Sequence, residues 1–161
     1  MQMCNSEIMK QIKFLEQQKD ELVSEERRIC QVTYQTDKDK MNYIYSFTET
    51  RNAISRFDSQ IRKLKHSLNY SNATTIVESF DMTLGECLIY MAQLNNEKMI
   101  LESLYGREAY SRRSTLNGVV EYTELNYDKA ECKERLVSVQ DTISRLQIAI
   151  DRTNLTNAIE I

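Results

Sequence analysis

The amino-acid sequence predicts a mainly α-helical protein, with four long helices arranged as antiparallel hairpins in a coiled-coil-like packing. Two observations predict this fold. The 161 residues include no proline and three glycines, and these two residue types interrupt helices most strongly. Apolar residues also recur at spacings of three and four in four separate segments, as they do along one face of an amphipathic helix.

The four helical segments are predicted at residues 5–30, 41–70, 84–110 and 127–153, within a single elongated domain of residues 1–161. The apolar face of the first is formed by Ile8, Ile12, Leu15, Leu22 and Ile29. Lys19 and Glu26 stand at two positions of that same face. The charge of Lys19 can extend outward to water, whereas Glu26 requires a partner or an exposed edge.

The third helix carries the start signal of a capping box. Thr83 stands just before the apolar repeat and Glu86 follows three residues later. In a capping box the hydroxyl accepts a hydrogen bond from the amide of the third helical residue, and the carboxylate accepts one from the first amide. We therefore expect the helix to begin at Leu84. Its predicted apolar stripe consists of Leu84, Leu88, Met91, Leu94, Leu101 and Leu104.

Two short segments, at residues 31–35 and 119–123, alternate apolar and polar residues with the period of a β-strand. Asn117-Gly118, just before the second segment, is a strong turn signal. An isolated strand leaves its backbone groups unpaired. The two segments are therefore predicted to form a small two-stranded ribbon, either with each other or between two copies of the chain. The alternative is that both segments are irregular loops.

The second and fourth helices each carry a strict heptad pattern. Helices this long leave more apolar surface than one thin chain can cover, so we expect a homo-oligomer, most simply a dimer. Candidate residues of the interface seam are Ile54, Phe57, Ile61, Leu64, Leu68, Leu136, Val139, Ile143, Leu146 and Ile150.

The same two helices match at an offset of 82 residues (136 minus 54), and their ends match as well. Ser71-Asn72-Ala73-Thr74 aligns with Thr153-Asn154-Leu155-Thr156. Such residues close helices because Asn adopts the left-handed conformation and hydroxyls satisfy free backbone groups. Alternatively, the two ends meet in space and form a site for a small ligand or partner. The candidate positions are Asn72, Thr74, Asn154 and Thr156.

Three stretches carry a resemblance to a known family: residues 56–75 (RFDSQIRKLKHSLNYSNATT), 83–94 (TLGECLIYMAQL) and 139–159 (VQDTISRLQIAIDRTNLTNAI). The region of residues 50–161 resembles small bacterial proteins labelled septicolysin, whose last helix ends in a similar Asn-rich motif. The chain has Leu155 where that family usually has Trp. The resemblance implies a helical, coiled-coil-rich protein of unknown function.

Composition and motifs narrow the function classes. The net charge of −3 provides no global attraction to nucleic acid or anionic lipid. The start of the sequence lacks a signal peptide's apolar run, and no apolar stretch is long enough to span a membrane. We therefore expect a cytoplasmic protein that does not contact membranes.

No residue pattern predicts catalysis, a cofactor or a metal site. His66 is the only histidine, and a carboxylate-bridged metal site in a helical bundle needs Glu-x-x-His on two helices. Cys4, Cys30, Cys87 and Cys132 are too widely spaced for a metal motif and are interpreted as small buried apolar residues.

Two small groups of basic residues could contact phosphate, Arg112-Arg113 and Arg62, Lys63 and Lys65, and no aromatic residues are interleaved with them. Specific binding of nucleic acid is therefore not the favoured hypothesis. The first hypothesis is a non-enzymatic interaction or scaffold protein that self-associates through helix faces. The alternative is a binding module for a small ligand or nucleic acid, through the Asn-bearing helix ends or the basic clusters.

Overall fold

A computed structural model describes residues 2–36 and 45–160 of the chain. Its helices are α1 (Asn5–Ile29), α2 (Phe47–Thr74), α3 (Leu84–Tyr105) and α4 (Lys129–Thr156). Its strands are β1 (Gln2–Cys4), β2 (Ile76–Val77), β3 (Met82–Thr83), β4 (Tyr110–Ser114), β5 (Val120–Glu124) and β6 (Ala158–Glu160). The prediction of a mainly α-helical fold is confirmed.

The chain folds into two compact units. Unit 1 comprises Met1–Thr75 and Asn154–Ile161, and unit 2 comprises Ile76–Thr153. Unit 1 contains the hairpin of α1 and α2 and the antiparallel strand pair β1 with β6. Unit 2 contains α3, most of α4 and two antiparallel strand pairs, β2 with β3 and β4 with β5. The prediction of one elongated domain stays a prediction.

Unit 1 is built on the antiparallel pair α1 and α2. Its polar contacts show the direction, because Glu16 on α1 pairs with Lys65 on α2 whereas the later residue Lys19 pairs with the earlier residue Asp58. Apolar residues that recur along both helices fill the space between them, and Met3 and Ile159 from the strands close one end. The buried core consists of Ile8, Ile12, Leu15, Ile61 and Leu64.

Both charged residues on the apolar face of α1 have partners on or near α2. The Nζ atom of Lys19 lies 2.6 Å from Oδ1 of Asp58. Glu26 forms an ion pair with Arg51 and accepts a hydrogen bond of 2.8 Å from the hydroxyl of Tyr45. These two charged residues on the apolar face of α1 therefore help to set which residues of α1 and α2 lie side by side.

Unit 2 is built on the antiparallel pair α3 and α4. Arg135 pairs with Glu97 at 2.7 Å, and the hydroxyl of Tyr127 donates to the carbonyl of Leu104 at 2.6 Å. Cys132 is buried between these two contacts, and its thiol donates to the carbonyl of Leu101 at 3.6 Å. The buried core consists of Val77, Leu84, Cys87, Leu94, Val139, Leu146 and Ile150.

The β-ribbon forms, but with different partners from those predicted. The strand predicted at residues 119–123 is β5, and it pairs with β4 through a turn at Asn117-Gly118, where Gly118 has a φ of 75°. Residues 31–35 form no strand, so that part of the prediction is wrong. A local turn brings β4 to β5 with little loss of loop entropy, whereas pairing with a segment far back in the chain would cost more.

The helix bounds differ from the predicted ones mainly at their ends. Helix α3 stops at Tyr105 because Gly106 caps it and the following residues enter the ribbon. Helices α2 and α4 instead continue through their Asn-bearing motifs to Thr74 and Thr156. The hydroxyl of Thr74 donates to the carbonyl of Tyr70 at 2.9 Å, a bond that keeps a polar residue inside the last turn. Residues 41–44, predicted as helix, lie outside the described residues.

The predicted capping box of α3 is confirmed. The amide of Glu86 donates to the hydroxyl of Thr83 at 3.2 Å, and the amide of Thr83 donates to the carboxylate of Glu86 at 2.8 Å. Helix α1 begins with a similar contact, in which the amide of Cys4 donates to the carboxylate of Glu7. These backbone donors hold the pKa of Glu7 and Glu86 below its ordinary value of 4.5.

The capping carboxylate of Glu86 should make stability depend on acid pH. Its pKa is lower in the folded than in the unfolded chain, so its contribution is complete above 4.5 and is lost as pH falls through the folded pKa. We expect Glu86→Gln to lower the melting temperature at neutral pH and to reduce the loss of stability between neutral pH and about pH 3. Thermal melts should show no such change for Glu108→Gln, at an exposed position outside the helices. Equal pH slopes for wild type and Glu86→Gln would contradict the prediction.

Candidate functional site

The ends of three helices meet in unit 1 and form a cluster of polar side chains. We call it the polar node, and it consists of Asn5, Ser71, Thr75, Asn154 and Asn157. Asn5 is the first residue of α1, whereas Ser71 and Thr75 close α2 and the two other residues close α4. Asn5 and Ser71 are almost completely buried, at 0% and 1% exposure. Buried polar groups require hydrogen-bond partners, and the polar node provides most of them.

The hydrogen bonds of the polar node connect the end of α2 to the chain that follows α4. The Nδ2 atom of Asn157 donates to Oγ of Ser71 at 3.1 Å and to Oγ1 of Thr75 at 2.8 Å. The two hydroxyls lie 3.3 Å apart and share a hydrogen bond as well. The Nδ2 atom of Asn5 donates to Oδ1 of Asn154 at 3.1 Å. The side chains therefore bind mainly one another.

One polar atom of the node is left without a partner. The Oδ1 atom of Asn5 is buried and accepts no hydrogen bond in the described part of the chain. An unpaired buried acceptor costs free energy unless a donor reaches it. The polar node therefore has the capacity to accept one further hydrogen bond, from a water molecule or another small donor.

The four helix-end residues predicted from the sequence lie at or beside the polar node. Asn154 belongs to it, whereas Asn72 is half-buried and Thr74 and Thr156 are exposed in the last helical turns. The sequence comparison missed Asn5, Thr75 and Asn157. Extending the alignment at offset 82 by one residue pairs Thr75 with Asn157, and these two residues are hydrogen-bonded in the structure. Ligand binding by these helix ends stays a prediction.

Eight of the ten residues predicted as an interface seam belong to the cores of the two units or pack against them. Six of the ten are buried and four are half-buried within this one chain. Phe57 and Leu68 pack against the core of unit 1, and Ile143 packs against that of unit 2. The buried ones are Ile54, Ile61, Leu64, Val139, Leu146 and Ile150, and the half-buried ones are Phe57, Leu68, Leu136 and Ile143. Their role as an interface seam between chains stays a prediction, and an apolar surface that is open to another chain lies on a different helix.

Helix α3 has such a surface on the side opposite its core contacts. At 3.6 residues per turn, eight uncharged residues fall within an arc of about 120°. We call this surface the outer face of α3, and it consists of Gly85, Leu88, Ile89, Ala92, Asn96, Met99, Ile100 and Ser103. Its four large apolar side chains are all exposed, with Ile89 at 62% and Met99 at 68%. Leu88, predicted as part of the apolar stripe of the third segment, is one of these exposed residues.

The outward side of α4 is different, because charged residues dominate it. Arg145 and Asp141 form an ion pair of 3.1 Å there, and two apolar residues, Val137 and Ile148, stand among the charges. Further charged residues on this side are Lys133, Glu134, Asp151 and Arg152. Isolated exposed apolar residues are ordinary on a protein surface, whereas a continuous apolar patch indicates an interaction site. The outer face of α3 is therefore the stronger candidate.

The described residues do not assemble a recognisable catalytic centre. Among them, no group of three or more His, Cys, Asp or Glu side chains could hold a metal ion. His66 is exposed on α2. Cys87 and Cys132 are buried as predicted, and burial raises the pKa of the Cys87 thiol. Cys30 is exposed, against the interpretation of all four cysteines as core residues. No described helix is long and apolar enough to cross a membrane.

The two basic clusters lie in different units. Arg112 and Arg113 are exposed on β4 in unit 2, where they stand opposite Tyr122 and Glu121 of β5. Lys65 of the other cluster lies in unit 1 and is paired with Glu16 at 2.6 Å. Each cluster thus has one basic residue that is paired with a carboxylate or lies opposite one. The carboxylate weakens the attraction of the cluster for phosphate.

Comparison with known proteins adds one finding on the fold. A solved structure resembles this chain. It is the crystal structure of a functionally unknown conserved protein from Corynebacterium diphtheriae, with a TM-score of 0.70 and 16% sequence identity. The match covers 99% of this chain and 100% of that one. No protein-family model and no curated protein matches the chain. The resemblance to proteins labelled septicolysin stays a prediction.

Proposed function

We propose that this chain is a non-enzymatic interaction protein of the cytoplasm, which self-associates as a dimer through the outer face of α3. The observation that carries the proposal is the run of ten uncharged residues from Cys87 to Asn96. One side of this run packs into the core of unit 2, and its other side leaves Leu88 and Ile89 exposed. A helix that is apolar on two sides is typical of one covered by two partners.

Helix packing is the interaction that this surface supports best. The large residues alternate along the outer face with Gly85, Ala92 and Ser103, and small residues let another helix approach closely. Glu86, Glu97, Lys98 and Glu102, the charged residues of α3, all lie outside the arc of the outer face. A partner helix could therefore cover the outer face without burying a charged side chain. Burying an unpaired charge would cost free energy.

The polar node supports the alternative, a small-ligand module, less well. All five of its side chains hydrogen-bond one another, and among the buried side-chain atoms of the described residues the Oδ1 atom of Asn5 lacks a partner. One free acceptor provides little specificity for a ligand. The basic clusters support nucleic-acid binding less still, because Glu16 and Glu121 neutralise part of their charge.

Replacing Ile89 with Glu tests the proposal. The variant places a carboxylate in the middle of the outer face, twice in a symmetric dimer, and each buried unpaired charge costs about 3–5 kcal/mol. We expect sedimentation equilibrium to show a dimer for the wild type and a monomer for Ile89→Glu at the same concentration. Because Ile89 is 62% exposed, the helical circular-dichroism signal should not change.

Ile148→Glu is the matched control. Ile148 is 69% exposed on the charged side of α4, so the same substitution adds the same charge away from the proposed interface. This variant should sediment as the wild type does. A monomeric wild type over the whole concentration range would contradict self-association, and dissociation by Ile148→Glu but not by Ile89→Glu would place the interface on α4.

A further inference from the structure

We infer that the two copies of the proposed dimer pack their outer faces of α3 in parallel, with Asn96 of one copy beside Asn96 of the other. The inference rests on the proposed self-association and specifies its geometry. It follows from the spacing of the outer face and from the one amide side chain at its centre.

The outer face has the spacing of a coiled-coil seam. Steps of four and three residues alternate without interruption along its centre, as a and d positions do in a heptad repeat. The residues of this seam are Gly85, Ile89, Ala92, Asn96, Met99 and Ser103. Helix α3 therefore carries two such seams, because Leu84, Cys87, Met91 and Leu94 form a second one that faces the core of unit 2. The 22 residues of α3 give a helix of about 33 Å.

Asn96 selects a second copy of the chain as the partner. Its side chain is exposed and makes no hydrogen bond within the described residues, whereas the neighbouring Asn95 donates to the carbonyl of Met91 at 2.8 Å. An apolar helix packed over Asn96 would leave its amide buried without a partner, which is unfavourable. A second copy brings an identical amide, and two asparagine amides can donate to each other.

The same residue favours the parallel orientation. In a parallel pair each seam residue lies in a layer with its own counterpart, so Asn96 meets Asn96. In an antiparallel pair whose seams overlap over their full length, each residue shares a layer with the residue whose number is 188 minus its own. Asn96 then meets Ala92, and Ile89 meets Met99. Ala92 has no side-chain group that could bond to the amide. A single Asn at an a position is known to fix register and oligomer state in parallel coiled coils.

The size of the surface sets the expected strength of the dimer. Stable interfaces bury about 1,200–2,000 Å² in total, and one pair of helices about 33 Å long would lie near the lower limit of that range. The dimer should therefore dissociate on dilution, and its dissociation constant should be measurable by sedimentation equilibrium.

Charge pairs at position 89 test the orientation. The variants are Ile89→Glu, Ile89→Lys, Met99→Lys and the double variant Ile89→Glu with Met99→Lys. In a parallel dimer the residue at position 89 faces its counterpart. A mixture of Ile89→Glu and Ile89→Lys chains should therefore form a heterodimer with a dissociation constant about 10-fold lower than that of either variant alone. In that geometry the double variant places like charges together and should stay monomeric.

The outcomes separate this inference from the proposed function. If Ile89→Glu and Met99→Lys are each monomeric and the mixture at position 89 dimerises, the parallel arrangement stands. Dimerisation of the double variant, with no heterodimer in the mixture, would overturn the parallel arrangement and leave self-association through α3 intact. Failure of both combinations would overturn the layer assignment. A monomeric wild type would remove the proposed function itself.

Discussion

Replacing Leu146 with Ala should lower the free energy of unfolding by about 2–5 kcal/mol. Leu146 is completely buried, in the core of unit 2 that also contains Leu94 and Val139. The substitution removes apolar contacts and leaves a cavity that surrounding helices fill only in part. Urea unfolding followed by circular dichroism should therefore show a transition at lower urea concentration, with native helical content unchanged before the transition.

Ile148→Ala is the control for this prediction, two residues further along the same helix. Ile148 is 69% exposed, so its truncation leaves no cavity, and Ala has the higher helix propensity. The free energy of unfolding should change by less than about 0.5 kcal/mol. A large loss for Ile148→Ala would show that this side chain is covered in solution, and a negligible loss for Leu146→Ala would contradict the assigned core. All variants should be compared at one protein concentration, because a dimer links stability to concentration.

Leu146 and Ile148 also show what the sequence could predict. The heptad pattern assigned Leu146 to an apolar seam and left Ile148 outside it, and the structure gives the two residues opposite exposures. The pattern could not tell which surface covers the seam, since a helix of the same chain and a helix of another copy present similar side chains. In the structure, Leu146 belongs to the same core as Leu84, Cys87 and Leu94 of α3. The candidate interface seam therefore includes residues of this core, and their contact with another chain stays a prediction.

The outer face of α3 escaped prediction for a related physical reason. The apolar stripe predicted for the third segment combines Leu84 and Met91, which face the core, with Leu88, which faces outward. A helix with apolar residues on two sides has no single preferred direction. The absence of charged residues from Cys87 to Asn96 is the sequence feature that could have indicated two apolar faces on this helix.

The β-ribbon shows the limit of short strand patterns. The turn at Asn117-Gly118 was predictable because Gly adopts the positive φ that the turn requires. The partner strand β4, which includes Arg112 and Arg113, has no apolar alternation. Its pairing follows from adjacency to the turn, and the alternating segment at residues 31–35 lacks such a neighbour.

Replacing Asn157 with Ala should lower the free energy of unfolding by about 1–3 kcal/mol. One amide nitrogen of Asn157 donates to the hydroxyls of both Ser71 and Thr75, at 3.1 and 2.8 Å. Ser71 is 1% exposed, so the loss of this donor leaves a buried hydroxyl with fewer partners. Thermal or urea unfolding measures the loss directly, and the helical signal of the native state should be retained.

Asn72→Ala is the matched control, because Asn72 lies next to Ser71 in the last turn of α2 but makes no hydrogen bond in the described residues. Its substitution should change the free energy of unfolding by less than about 0.5 kcal/mol. If both variants lost similar stability, the helix-end motif would act through capping in general rather than through the polar node. If neither did, the hydrogen bonds of Asn157 would contribute nothing to stability. We expect a loss of stability for Asn157→Ala and none for Asn72→Ala. That result would mean that the polar node holds the chain after α4 against the end of α2. The same contacts would then keep β6 in register with β1.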